Sequence, residues 1–314
     1  MRYVFILNPK AGKGAAEQIL YPRLTEYLEK SGLEWAIHRT EYRGHAEALA
    51  REEAMKGDPV RIYACGGDGT LNEVCSGAFP HPNAAVGVIP CGSGNDYIKS
   101  FPGNYDDLDA QINAQEVQAD MIATDKGYSA GVASVGFDAE VGFNMTKFKR
   151  FVPGNTAYYL SVLYCLISKT KNRYTLNIDG ERFQEVFLLT AIGNTSYYGG
   201  QFKALPYAVT DDGKLEVVAV RKLSRIKFLK FLKIYTAGHH LEDEALKPYI
   251  IYRQATEVTV SGEDPLAINR DGEITRSREA TFRILPLAFR FLQPTGGSSA
   301  PVCAEEEKEP ALQH

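Results

Sequence analysis

The first hundred residues alternate short apolar runs with stretches in which apolar residues recur every three or four positions. Runs of the first kind indicate buried strands, and the longer spacing indicates amphipathic helices. The pattern predicts strands over 2–7, 34–39, 60–65 and 85–90. It also predicts helices around 19–28, around 45–55 and from Leu71 onward. Strands that alternate with helices predict a mostly parallel sheet with helices on its faces.

A loop of unusual composition follows each predicted strand. These loops read NPKAGKG over 8–14, TE over 40–41, GGDGT over 66–70 and PCGSGND over 90–96. Because the carboxyl ends of parallel strands meet at one edge of a sheet, we expect the four loops to emerge together. In open α/β sheets that edge is where ligands bind.

From about residue 127 the pattern changes to β runs joined by turns. Two of these turns, Asp179-Gly180 and Asp271-Gly272, are dipeptides that favour two-residue hairpins. We therefore predict an α/β domain over 1–125, which the segment 286–294 is a candidate to rejoin, and a β-rich antiparallel domain over 126–285. Two helical patterns interrupt the second domain, around 157–168 and 226–239. Residues 295–314 are small, polar and acidic, which predicts a disordered tail.

Composition and charge narrow the class of protein. The chain has 314 residues, 44% of them hydrophobic, and a net charge of −4, so it offers no overall attraction to nucleic acid. Its five cysteines are odd in number and form no C-x-x-C pair, which favours reduced thiols. A strand is predicted from residue 2 onward, so we expect no signal peptide, and the longest apolar run, 156–168, is shorter than the roughly 20 residues of a membrane span. We predict a cytoplasmic protein without a transmembrane helix.

The segment Gly66-Gly67-Asp68-Gly69-Thr70 lies between a predicted buried strand and a predicted helix. Backbone N–H groups and the helix dipole at such a turn can bind polyphosphate, while Asp68 could hold Mg²⁺ and Thr70 could donate a hydroxyl hydrogen bond. A plain glycine-rich turn is the alternative. The chain has no Walker A, G-x-G-x-x-G, H-E-x-x-H or G-x-S-x-G pattern, which argues against P-loop, Rossmann, zinc-protease and hydrolase chemistry.

Six segments in a fixed order resemble the bacterial diacylglycerol kinase family. They are NPKAGKG, GGDGTLNEV, PCGSGNDY, GFDAEVGFN, GGQFKALPYAVTDDGKLEV and NRDGE, and they extend the resemblance from about Tyr3 to Leu292. GGDGT alone is shared with NAD kinases and sphingosine kinases, whereas the order and spacing of all six are more specific. The resemblance implies an NAD-kinase-like α/β nucleotide domain followed by an antiparallel β-sandwich domain.

The resemblance also implies a reaction, in which the γ-phosphate of ATP moves to the hydroxyl of diacylglycerol and gives phosphatidic acid, with Mg²⁺ required. Ser93 stands where the family usually has threonine and keeps the hydroxyl. Asn95 and Asp96 would complete the phosphate and metal environment. The remaining residues that the resemblance brings near ATP are Asn8, Pro9, Lys10, Ala11, Gly12, Thr40, Gly66, Gly67, Asp68, Gly69, Thr70, Leu71 and Asn72.

By the same resemblance, Asp212 in the D-D-G-x-L turn binds a structural Mg²⁺, with the backbone carbonyls of Val209 and Lys214 nearby. A water-linked network toward Asp120 and Ser93 would join this metal to the nucleotide. Without the resemblance, the turn reads equally as an Asp-Asp-Gly turn that needs no metal.

For catalysis the resemblance points to Glu273 as general base, with Asp271 close enough to raise its proton affinity and Asp68 on the nucleotide side. The same three residues recur at Asp179-Gly180-Glu181, where they read as a simple hairpin. The tripeptide alone is therefore weak evidence, and position relative to the other motifs selects Glu273.

A lipid substrate must be met at the bilayer surface. The segment 221–233 carries six basic residues and no acidic one, interleaved with apolar residues at helical spacing. It predicts an amphipathic cationic helix that attaches the protein peripherally to the inner face of the membrane. A helix whose apolar side packs on the second domain is an equal alternative. The oligomeric state stays open, with a homodimer among the states considered.

Three other functions remain as alternatives. A kinase for another lipid alcohol, such as a sphingoid base or phosphatidylglycerol, would use the same phosphate machinery. NAD kinase shares GGDGT but is not expected to carry the other motifs together. A non-catalytic ATP-binding regulator would be expected to lose Asp68 or Glu273, and both are present.

Overall fold

The computed structural model describes residues 1–148, 152, 160, 161, 164 and 173–296. The chain forms two compact units. The first unit comprises Met1–Ser93, Pro102–Glu116 and the described residues from Leu292 onward. The second comprises the described residues of Gly94–Phe101 and Val117–Phe291. Most of the predicted helix around 157–168, and the acidic tail beyond 296, lie outside the described residues.

The first unit contains a parallel sheet with the strand order β4-β3-β1-β2. The prediction of a parallel α/β sheet is thus confirmed. Its strands are β1 (Arg2–Leu7), β2 (Glu34–Arg39), β3 (Val60–Gly66) and β4 (Ala84–Pro90), and its helices are α1 (Tyr21–Ser31), α2 (His45–Met55), α3 (Asp68–Ala78) and α4 (Leu108–Ile112).

Burial follows position in this sheet. β4 is buried at every residue and β3 at all but one, because helices cover both faces of a parallel sheet, whereas the edge strand β2 is only half-buried. Helix α1 packs Leu24 and Leu28 into the core, together with Leu20 just before it. Ile19, predicted on the same face, is exposed because residues 16–20 form a wider π turn.

Helix α3 begins at Asp68, three residues before the predicted start at Leu71. Gly67 is its N-cap in extended conformation, so the motif Asp68-Gly69-Thr70 forms the first helical turn. The helix also packs tightly on α2, since a Cβ on Gly77 would lie 2.2 Å from the Glu47 carbonyl oxygen. Only glycine allows that approach of the two backbones.

The second unit is mostly antiparallel, as predicted. Its main strand order is β11-β10-β9-β7-β12-β13, with β8 also paired to β9 and β12, and β5 paired to β13 and β6. The strands are β5 (Gln115–Thr124), β6 (Gly127–Ser129), β7 (Val132–Gly136), β8 (Arg173–Ile178), β9 (Glu181–Gly193), β10 (Leu215–Arg221), β11 (Ile250–Ala255), β12 (Glu257–Arg270) and β13 (Glu273–Gln293). The helices are α5 (Phe137–Phe148) and α6 (Arg225–Ala237).

Strand β13 is 21 residues long and ends in the first unit, where Leu292 is fully buried in the core. Both predicted Asp-Gly hairpins are present. Asp179-Gly180 joins β8 to β9, with Ile178 paired to Glu181, and Asp271-Gly272 joins β12 to β13. All four turn residues have φ between 45° and 92°, which is the left-handed pattern of a type I′ turn.

Candidate active site

The parallel register brings the four unusual loops to one edge of the first unit's sheet. Leu7, the last residue of β1, pairs with Arg39 at the end of β2 and with Cys65 near the end of β3. Gly66 in turn pairs with Pro90 at the end of β4. The loops that follow these strands therefore emerge side by side, as the sequence predicts.

Side-chain and backbone contacts join the first and third of these loops. The Asn8 side chain donates a hydrogen bond from Nδ2 to Thr70 Oγ1 at 3.2 Å, and its Oδ1 accepts from the Lys10 N–H at 3.1 Å. The N–H of Ala11 donates to the Asn8 carbonyl at 3.0 Å. The predicted nucleotide residues of NPKAG and GGDGT thus form one connected surface at the start of α3.

The glycines of this surface serve different purposes. A Cβ on Gly12, whose φ is +59°, would lie 2.7 Å from the Cys91 carbonyl oxygen, and one on Gly66 would lie 2.5 Å from Thr70 Oγ1. A Cβ on Gly67 would lie 3.1 Å from Gly92 Cα. These three glycines let the loops pack on one another. At Gly69, no atom of the described residues lies within 4 Å of such a Cβ, so a ligand could approach the backbone at this position.

Other predicted nucleotide residues differ in accessibility. Lys10 and Ser93 are exposed and Pro9 and Thr40 are partly exposed. The Leu71 side chain is buried and its N–H donates to the Gly67 carbonyl at 3.1 Å, so it offers the nucleotide neither group. Asn72 is half-buried one turn into α3.

Asn95 and Asp96 belong to the second unit. Asn95 has a φ of +46°. The Asp96 carboxylate is nearly buried, accepts a hydrogen bond from the Gly200 N–H at 2.8 Å and pairs with Lys99 Nζ at 2.6 Å. The Lys99 ammonium also donates to the Gly200 carbonyl at 2.6 Å. This arrangement fixes the Asp96 carboxylate against a glycine turn that the sequence did not connect to it.

The predicted metal turn carries an exposed carboxylate beside a buried one. Asp212 Oδ1 accepts from the Lys214 N–H at 3.0 Å, while Val209 and Asp212 are exposed. Asp120 is fully buried, and its two carboxylate oxygens accept from the N–H groups of Gly213 and Leu287 at 2.8 and 2.7 Å. The turn and Asp120 therefore lie together.

Burial raises the pKa of Asp120, the two backbone N–H groups oppose that shift, and the negative charges of Asp212 and Asp211 add to it. A cation near these carboxylates would relieve their repulsion. In the described part of the chain, no three or more His, Cys, Asp or Glu side chains are grouped to hold a metal.

The hairpin turn before Glu273 is anchored from its first residue. The Asp271 carboxylate accepts hydrogen bonds from Ser129 Oγ at 2.5 Å and from the Val132 N–H at 3.1 Å. Asp179 holds the other Asp-Gly turn in the same manner, by accepting from the N–H groups of Thr256 and Glu257. The aspartate in each D-G-E tripeptide is therefore a structural anchor, which the sequence did not indicate.

The apolar side of α6 is covered. Phe228, Phe231 and Tyr235 are buried in a cluster with Val218 and Val220 of β10. Lys227, Lys230 and Lys233 are exposed, as is Ile226 at the start of the helix. The packed-helix alternative thus holds for the apolar side, while a basic surface remains on the other side. No described helix is long and apolar enough to cross a bilayer.

Glu73 was missed by the sequence reasoning. From α3, its carboxylate accepts the Gly44 N–H at 3.0 Å and the Ala46 N–H at 3.2 Å, which caps the start of α2. Only its place inside GGDGTLNEV could have drawn attention to it, since the contact spans 27 to 29 residues of sequence.

Models of two known domain families match successive parts of the chain. Residues 2–124 match the family model of the diacylglycerol kinase catalytic domain. Residues 131–293 match that of the YegS C-terminal NAD kinase beta sandwich-like domain. Two relatives named diacylglycerol kinase are similar over most of the chain. The protein of Staphylococcus carnosus (strain TM300) is 31% identical over 88% of this chain and 90% of its own length. The protein of Bacillus subtilis (strain 168) is 29% identical over 85% of this chain and 88% of its own length.

Solved structures share the fold. A crystal structure from Bacillus anthracis str. Sterne aligns over 93% of this chain and 96% of its own, with a TM-score of 0.71 and 21% identity. Another, described as a diacylglycerol kinase from the same organism, has the same coverage with a TM-score of 0.61 and 18% identity.

A catalytic kinase domain followed by a β-sandwich-like domain defines a lipid kinase, and a kinase of this family implies the use of ATP. The chain belongs to the diacylglycerol kinase family.

Proposed function

We propose that this lipid kinase transfers the γ-phosphate of ATP to the hydroxyl of diacylglycerol and releases phosphatidic acid and ADP. The observation that carries the proposal is the surface at the start of α3. There the Asn8 and Thr70 side chains are hydrogen-bonded and the backbone at Gly69 is open to a ligand. Backbone N–H groups and the positive end of a helix dipole suit a polyphosphate.

Residues of the first unit would bind and orient the triphosphate. Lys10 and Ser93 are exposed and offer an ammonium and a hydroxyl to phosphate oxygens, while Asp68 occupies the first turn of α3. We assign Asp68 to the Mg²⁺ that accompanies the nucleotide. Positioning and charge neutralisation supply most of the catalysis in phosphoryl transfer.

Glu273 is the proposed general base. It is the first residue of β13, directly after the anchored turn. The hydroxyl oxygen of the lipid would attack the γ-phosphorus as the bond to ADP breaks, and Glu273 would take the hydroxyl proton. Asp271 already accepts two hydrogen bonds, so we assign it to positioning the turn.

The oxygen donors at the D-D-G-x-L turn fit a hard cation. Asp212 is exposed with one carboxylate oxygen committed to the Lys214 N–H, and the backbone carbonyls of Val209 and Lys214 would complete a set of oxygen ligands. Mg²⁺ bound there would hold the turn in place and offset the negative charge around Asp120. A single carboxylate with carbonyl ligands is compatible with the lack of a side-chain cluster among the described residues.

The substrate class also calls for contact with a membrane. We propose that the exposed lysines of α6 attach the protein peripherally to the inner, anionic face of the cytoplasmic membrane. The exposed Ile226, 85% accessible at the start of that helix, would enter the interface.

The test follows phosphate transfer from labelled ATP, with Mg²⁺, into a panel of micellar lipids and NAD. Wild type is compared with Glu273→Ala and with Glu181→Ala, which alters the same tripeptide in the other hairpin. We expect labelled phosphatidic acid from diacylglycerol with wild type and Glu181→Ala. Loss of a general base should reduce the rate at least 100-fold, from the usual contribution of roughly 10²–10⁴.

Other outcomes separate the parts of the proposal. If only a sphingoid base or phosphatidylglycerol is labelled, the proposed roles in phosphate binding stand and the acceptor is that lipid instead of diacylglycerol. Label in NAD, or in no acceptor, would refute the proposed function. Full activity in Glu273→Ala would refute the base.

A further inference from the structure

An exposed aromatic pair lies at the carboxyl end of β2. The ring of Tyr42 stacks on that of His45, with centroids 4.5 Å apart and an interplanar angle of 4°. Tyr42 nevertheless remains 63% exposed. Since His45 covers one ring face, the exposure of Tyr42 lies on its other face and edge.

Hydrogen bonds hold this pair in place. The Glu41 N–H donates to His45 Nδ1 at 3.1 Å. On either side of His45, the N–H groups of Gly44 and Ala46 donate to the Glu73 carboxylate. Because Glu73 is part of α3, the aromatic pair is fixed to the helix whose N-terminus forms the proposed phosphate site.

The position along the sheet edge suits the other end of a nucleotide. Thr40, two residues before Tyr42, donates its N–H to the Leu7 carbonyl at 2.9 Å, next to Asn8. Strand β2 neighbours β1, and β1 neighbours β3. Adjacent strands lie about 4.8 Å apart, so the end of β2 is roughly 10 Å from the end of β3 and the start of α3. A nucleotide with its phosphates at α3 can extend its base along this edge.

We propose that the open face of Tyr42 is the stacking platform for the nucleobase of the bound nucleoside triphosphate. The inference rests on the proposed use of ATP and adds the residue that binds the base. Stacking on an aromatic ring tolerates every base, since each has a π face. Tyr42 therefore contributes affinity for the nucleoside part of the ligand and leaves the phosphates to the loops after β1 and β3.

Inorganic tripolyphosphate distinguishes the two parts because it carries phosphates and no base. Isothermal titration calorimetry with Mg²⁺ compares the binding of ATP and tripolyphosphate to wild type, Tyr42→Ala and Tyr42→Phe. Tyr207→Ala, which removes another exposed tyrosine in the second unit, is the matched control.

We expect Tyr42→Ala to weaken ATP binding roughly 5- to 150-fold, the range for loss of one base–aromatic stack. It should leave tripolyphosphate binding within twofold, and Tyr42→Phe and Tyr207→Ala should bind both ligands as wild type does. In the kinase assay, Tyr42→Ala should raise KM for ATP while kcat at saturating ATP is retained.

Two results would overturn the proposed stacking on Tyr42 and leave the proposed kinase function standing. One is wild-type ATP affinity in Tyr42→Ala, and the other is an equal loss for ATP and tripolyphosphate, which would indicate a displaced loop. Failure of wild type to bind ATP at all would overturn the proposed function as well, so the two failures are distinguishable.

Discussion

The buried histidine in the loop just after α6 predicts a measurable dependence of stability on pH. His240 is fully buried and packs beside the rings of Tyr235 and Phe231, with centroid distances of 4.7 and 6.5 Å. Burial lowers the pKa of His240 from 6.5 to about 4; the Ala204 backbone opposes the shift in part, and the charge of neighbouring His239 adds to it.

The sign follows from proton binding in the two states. Above pH 6.5 the imidazole is neutral in both, so its contribution to the free energy of unfolding is constant. Between pH 6.5 and about 4 the unfolded chain binds a proton that the folded chain does not, and the folded state loses about 1.4 kcal/mol per pH unit. The loss should reach about 2 kcal/mol at pH 5 and about 3 kcal/mol near pH 4.

Urea unfolding followed by far-UV circular dichroism at pH 7.5 and pH 5.0 measures this loss. His240→Leu removes the titrating group from an apolar pocket, and His239→Gln removes the exposed neighbour as a control. Trp35 on β2 is the single tryptophan of the chain, so its fluorescence follows the unfolding of the first unit separately. Stability should fall about 2 kcal/mol less on acidification in His240→Leu than in wild type or His239→Gln. An identical fall in all three proteins would refute the reasoning, whatever their absolute stabilities.

Two further predictions concern the nucleotide surface and the membrane. Gly12→Ala places a Cβ 2.7 Å from the Cys91 carbonyl oxygen and should weaken ATP binding at least tenfold in calorimetry. The control Gly32→Ala is also at positive φ, but no described atom lies within 4 Å of its Cβ, so it should only lower the free energy of unfolding by about 1 kcal/mol. Equal ATP affinity in the two variants would contradict the packing assigned to Gly12. Replacing the three exposed lysines of α6 by glutamate should abolish sedimentation of the protein with vesicles rich in anionic lipid. The same variant should still transfer phosphate to diacylglycerol in neutral micelles, and Lys30→Glu on α1 should change neither property. Unchanged sedimentation of the α6 variant would exclude α6 as the membrane contact. The three lysines are Lys227, Lys230 and Lys233.

The sequence pattern predicts the bounds of helices, strands and turns correctly where interactions between neighbouring residues determine them. Strand β2 and helix α2 have the predicted bounds, because the apolar spacing is clear and Gly44, at φ +84°, separates loop from helix. The two Asp-Gly turns were predicted for the same reason, since left-handed φ values suit those residues. The start of α3 was placed too late because the glycines of GGDGT suggested a loop, although Asp68 already lies in the helix.

Contacts between distant segments could not be predicted in this way. Nothing near Glu73 in the sequence shows that its carboxylate caps α2, and nothing near Asp271 shows its bonds to Ser129 and Val132. The pattern of α6 allowed both a membrane helix and a packed helix. The burial of Phe228 and Phe231 shows that the apolar side of the helix packs inside the second unit.

The close contact between α2 and α3 also bears on how this enzyme could be redesigned. Gly77 brings the two helices into backbone contact, and Glu73 bonds the start of one to the side of the other. The turn from Thr40 to Arg43 therefore has both ends fixed by groups outside it, at the Leu7 carbonyl and at Glu73. A library that varies residues 41–43 could explore new preferences for the phosphate donor while the scaffold beneath stays unchanged.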